Sequence, residues 1–177
     1  VIAMWGYALD GASCAAPPCA ATVPGPALAV PPGDTTLTIN LTNNLPAPTS
    51  IVIPGQLAAM APVYTTNSGG KPVVQSFTHE AAANGGTASY AWNSLKPGTY
   101  LYESGTHPQV QVQMGLYGAV TKNVIDAVAA TTTAPAVPGQ AYAGAGYAFD
   151  NEATLLYSEI DPDLHAAVAN NDFGEGK

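Results

Sequence analysis

Thr35-Thr36-Leu37-Thr38-Ile39-Asn40-Leu41-Thr42 alternates polar and apolar side chains along nearly its whole length. Successive side chains of a strand point to opposite faces, so this run predicts a β-strand with Leu37, Ile39 and Leu41 on one buried face. Turn chemistry brackets it, with Pro31-Pro32-Gly33-Asp34 before and Asn43-Asn44-Leu45-Pro46 after. Working outward, strands are also expected over residues 1–9, 27–30, 50–53, 73–78, 87–92, 99–103, 110–113 and 116–121. Short strands at this spacing, divided by Pro-Gly and Gly-Gly turns, point to an all-β sandwich or barrel.

The 177 residues fit one domain, or one domain with a tail. Only 9% are charged, against about 25% in ordinary globular chains. There is no Arg, and the net charge is −8. Neutralising phosphates needs clustered cations, so nucleic acid is excluded as a partner. No run reaches the roughly 18 apolar residues of a transmembrane helix, so no membrane insertion is expected. At 47% hydrophobic residues the chain collapses instead of staying disordered. The chain starts at Val1 with no basic leader, and the expectation is an exported protein, extracellular or at the cell surface, whose signal peptide is already removed.

Three regions follow. Residues 1–122 form the sandwich. Residues 123–149, rich in Ala, Thr, Pro and Gly, form an extended connector. Residues 150–177 carry a returning strand over 152–158, a short helix and an acidic tail. Asp161 caps that helix and Pro162 occupies its first position. Seven of the twelve acids lie from Asp150 onward, and His165 is expected on an exposed helix face among them.

Val23-Pro24-Gly25-Pro26, Pro32-Gly33-Asp34 and Leu41-Thr42-Asn43-Asn44-Leu45 resemble the first cupredoxin domain of multicopper oxidases. Leu95-Lys96-Pro97-Gly98-Thr99-Tyr100-Leu101-Tyr102 and Met114-Gly115-Leu116-Tyr117-Gly118 resemble the strand pair closing that domain. Residues 152–168 resemble the segment that leaves it. The resemblance implies a cupredoxin-like Greek-key β-sandwich with a short C-terminal helix. It also implies where copper ligands belong. That family aims two imidazoles at one metal cluster with His-x-His pairs. Here the first pair reads Val52-Ile53-Pro54 and the second Glu103-Ser104-Gly105. Val52, Pro54, Glu103 and Gly105 stand where four imidazoles are expected. A mononuclear blue-copper centre needs a thiolate with two imidazoles, and no Cys precedes His107 and Met114 in the late loop.

The remaining reactive residues suggest little catalysis. Cys14 and Cys19 bracket Ala-Ala-Pro-Pro and are expected to form a disulfide, worth ~2 kcal/mol by loop closure. No cofactor is expected: His79 and His107 read as histidines hydrogen-bonded in loops, with a copper ion held weakly by His79, His107, Glu103 and Met114 as the alternative. Ser104 lacks the Gly-x-Ser-x-Gly setting of a nucleophile elbow. The isolated chain is expected to be no enzyme. The first function considered is an exported, non-catalytic structural protein that self-assembles. Its adhesive segment would be residues 1–9, with Val1, Ile2, Met4, Trp5, Tyr7 and Leu9 and no charge before Asp10. The alternatives are the N-terminal domain of a larger oxidase whose copper ligands lie in other domains, and a small copper-binding cupredoxin.

Overall fold

The computed structural model describes residues 1–10, 20–58, 61–122, 124–125, 128–142 and 146–173. The alternating run is strand β2 (Thr36–Asn43), paired antiparallel with β5 (Gly86–Asn93). Leu37 faces Trp92, Ile39 faces Tyr90 and Leu41 faces Ala88. A second sheet has β7 (Tyr117–Lys122) at its centre, parallel to β1 (Leu28–Val30) and antiparallel to β6 (Gly98–Glu103). The core lies between the two sheets. Tyr90 and Trp92 come from β5, Tyr102 from β6, Val120 from β7 and Val30 from β1, with Tyr7, Ile51, Ile53 and Leu116 filling between. Leu37, Ile39 and Leu41 pack against this cluster and stay half-buried. The expected β-sandwich is therefore present.

Two glycines show how tightly the second sheet is packed. A Cβ on Gly118 of β7 would lie within 2.4 Å of the Tyr102 ring, and one on Gly25 would meet the Tyr102 hydroxyl at the same distance. Only a missing side chain lets Tyr102 lie flat there and donate to the Pro26 carbonyl at 2.7 Å.

Strands β3 (Val63–Thr66) and β4 (Pro72–Ser76) form a hairpin, and β8 (Gly139–Gln140) pairs with β9 (Ala148–Phe149). The connector is thus partly folded on itself, with further bridges from Ile125 to Gln140 and from Val128 to Val137. Among the described residues no helix is long and apolar enough to cross a membrane.

Four strand expectations need correction. Residues 1–9 form no strand beyond one bridge from Tyr7 to Thr22. Their apolar character reflects contact of Trp5 and Tyr7 with the core, while Val1, Ile2, Met4 and Leu9 are exposed. Residues 50–53 pair only through Val52, because Pro54 beyond it has no N–H to continue a ladder. Residues 110–113 fall in and just after a helical turn, α1 (Pro108–Gln111). His107 in the left-handed region reverses the chain, and Pro108 is already set for a helix. Residues 152–158 of the tail form no strand, and Leu155 and Tyr157 point to solvent.

The C-terminal helix α2 (Pro162–Ala169) starts as its residues dictate. Asp161 accepts from the backbone N–H groups of Asp163 and Leu164 at 3.0 and 3.2 Å. His165 is not exposed on it, being 1% accessible.

Candidate functional site

Strand β6 ends at Glu103, and the chain over residues 50–54 runs beside that end. The Val52 N–H donates to the Glu103 carbonyl at 2.8 Å, and the Glu103 N–H donates back to the Val52 carbonyl at 2.9 Å. This reciprocal pair brings together the two segments in which His-x-His pairs were expected. Gly105 then faces Val52 so closely that a Cβ there would lie 2.7 Å from Val52 Cγ1 and 3.1 Å from Ser50 Oγ. No imidazole fits at position 105 while Val52 and Ser50 keep these places. Val52 and Gly105 offer no donor atom, and neither does Pro54. The residues present do not fit a copper cluster.

Behind these positions lies a buried hydroxyl network. Ser50, Ser76 and Thr106 close a triangle of hydroxyls at 3.0, 2.9 and 3.1 Å. Beside it, Gln111 Oε1 accepts from Thr49 at 2.7 Å and from Ser104 at 2.6 Å. Gln111 Nε2 donates to the Pro48 carbonyl at 2.7 Å. All six side chains are buried, and each finds its partner inside the protein. The Ser104 hydroxyl is a structural member of this network, with no acid–base partner to activate it as a nucleophile.

Outside the network a cleft of about 400 Å³ opens, lined by Val52, Pro54, Leu57, Phe77, Trp92 and Glu103. Burial pushes the Glu103 carboxyl above the usual carboxylate range, because the charged form loses solvation there. That disfavours the ionised form a cation would need. Trp92 Nε1 is buried beside the cleft and has no hydrogen-bond partner among the described residues.

The four candidate metal residues are held separately. His79 stacks on Tyr90 with 4.6 Å between ring centres, and its Nε2 lies 3.1 Å from the Ser89 carbonyl oxygen. His107 is exposed, and its backbone N–H donates to the Gln75 carbonyl at 2.9 Å. The Met114 side chain is fully buried. Among the described residues no three His, Cys, Asp or Glu side chains come together as a metal-holding group. Cys14 and Cys19 lie outside the described residues. Of the expected self-association residues, Val1, Ile2, Met4 and Leu9 are exposed, Trp5 is half-buried and Tyr7 is buried.

Sequence reasoning missed the network and the burial of His165. The only trace of the first was Ser and Thr beside the ligand positions, in Pro48-Thr49-Ser50-Ile51 and Ser104-Gly105-Thr106.

The multicopper oxidase family model matches residues 8–123. Among solved structures, the chain is similar to a multi-copper oxidase from Pseudomonas Thermotolerans, at 20% identity and a TM-score of 0.45, over 58% of this chain and 22% of that one. It is similar to a Blue Copper Oxidase from Nitrosomonas europaea at 26% identity and a TM-score of 0.42, over 56% of this chain and 29% of that one. A copper nitrite reductase from Nitrosomonas europaea aligns at 21% identity and a TM-score of 0.41, over 58% and 31%. The chain therefore spans less than a third of the length of each of these three. No curated protein matches it.

Proposed function

The chain belongs to the multicopper oxidase family, and from that premise we propose that it is a copper-free, exported cupredoxin-type domain whose work is structural. One observation carries this. Val52, Pro54, Glu103 and Gly105 stand at the four positions where the resemblance implies imidazoles, Val52 and Glu103 are joined by reciprocal backbone bonds, and there is no room for a side chain at 105. Electron transfer through copper needs donors at fixed geometry, and these residues provide packing instead. The hydroxyl network behind them rigidifies the same end of the sandwich. The test is oxidation of a phenolic substrate by the intact chain after incubation with copper. No turnover and no intense thiolate-to-copper absorption band are expected. Turnover above that of free copper would overturn the proposal.

Self-association is a second reading, favoured by the exposed apolar Val1, Ile2, Met4 and Leu9. Sedimentation across a dilution series should then give a mass that rises with concentration. A single species at the 17.9 kDa of one chain would leave the alternative, in which this domain is the N-terminal module of a larger oxidase whose copper ligands lie in other domains.

A further inference from the structure

We propose that His165 is a proton-operated clasp that holds the C-terminal segment on the sandwich in acid and releases it as the pH rises. His165 is the only buried residue among those described between 150 and 173. Leu155, Tyr157 and Ile160 before it are exposed. Leu156, Leu164, Ala167 and Val168 are half-buried, and among the described residues two polar contacts fix the segment in place. One is the Tyr117 hydroxyl donating to Ser158 Oγ at 2.6 Å. The other centres on the imidazole.

Both ring nitrogens of His165 face backbone carbonyl oxygens. Nδ1 lies 2.5 Å from the Ala3 oxygen and Nε2 lies 3.1 Å from the Gln113 oxygen. A carbonyl oxygen only accepts. A neutral imidazole has one N–H and one bare lone pair, so one contact would then set lone pair against lone pair. Both are satisfied only when both nitrogens carry hydrogen, which is the imidazolium. The clasp joins three separate stretches at one point, because Trp5 beside Ala3 also donates its N–H to the Met114 carbonyl at 2.8 Å. The Ala3 and Gln113 carbonyls are thus held in place by backbone pairing next to them, ready to receive the two donors.

The ionisable groups around this point are few. The N-terminal segment brings the α-amino group of Val1 and no ionisable side chain before Tyr7. The turn carrying Gln113 brings none between His107 and Tyr117. The helix itself brings Asp161 and Asp163, with Glu159 before it and Asp172 after it. Acids dominate this list, as they do the chain. The sign follows from the donor count. The protonated ring makes two charge-assisted bonds, and loss of the proton removes one donor and turns one contact repulsive. Docking is strongest in acid and loosens as imidazole deprotonates.

The test uses the intact chain with ¹⁵N-labelled histidine, of which there are three, with His165 assigned by its loss in His165→Gln. At about pH 5, below the ordinary imidazole range, both ring nitrogens of His165 should carry hydrogen and the ring should contact Ala3. At about pH 8 the amides of residues 163–169, corrected for intrinsic exchange, should lose protection by about tenfold or more, the equivalent of one charged hydrogen bond. In His165→Gln that pH step should be absent. A neutral ring in a still-docked helix would overturn the proposal, and so would protection that is unchanged across deprotonation.

Discussion

Histidine at position 105 should lower stability by about 2–4 kcal/mol and create no copper site. Gly105 sits between Ser104 and Thr106, all three buried, with Val52 Cγ1 at 2.7 Å from the place of any Cβ. A larger side chain must displace Val52 or Ser50. Displacing Ser50 breaks its bonds to Ser76 and Thr106. The buried imidazole would itself arrive without a partner. The steric part is separable, because Val52→Ala removes Cγ1. In that background the cost of Gly105→His should fall by ~1 kcal/mol, a coupling that a double-mutant cycle in urea reads directly. Additive effects would mean that Val52 does not close the position.

Gln111→Leu should cost about 3 kcal/mol, although leucine has nearly the same volume. The size is preserved and the polarity is not. The buried Thr49 and Ser104 hydroxyls lose an acceptor and the Pro48 carbonyl loses a donor, all at once. Ser104 retains a contact to the Thr106 carbonyl at 3.2 Å, which limits the loss. Thermal unfolding at neutral pH checks this. A change below ~1 kcal/mol would show that water reaches these groups and that the network is not dry.

The two predictions concern residues whose roles were legible in the sequence to different degrees. Leu37, Ile39 and Leu41 were readable because a period of two is a local property, and β2 follows it residue by residue. The same rule misled at Val110-Gln111-Val112-Gln113, which alternates just as well. There His107 and Pro108 bend the chain into a helical turn, and the apolar positions serve a different geometry. Residues 1–9 were misread for another reason. Apolar content does not report pairing: Trp5 and Tyr7 are covered without a neighbouring strand, and Val1, Ile2, Met4 and Leu9 are exposed.

Asp161 and Pro162 were legible because capping acts within one helical turn. The candidate site was legible only as a set of missing ligands. What occupies the space depends on partners far apart in the chain, with Thr49 meeting Gln111 across 62 positions and Thr106 meeting Ser50 across 56. Ser and Thr are common on surfaces as well as in networks, so their types alone carry no such information. His165 illustrates the same limit. Its acidic neighbours suggested a solvated face, while its two partners lie 162 and 52 positions away.

Copper titration of the intact chain, followed by electron paramagnetic resonance and by the metal retained after gel filtration, bears most directly on the central claim. The expected result is no stoichiometric site, with added copper weakly held and lost on filtration. One tightly held copper ion per chain, released by Glu103→Gln or displaced by substitutions at Val52 or Gly105, would contradict it.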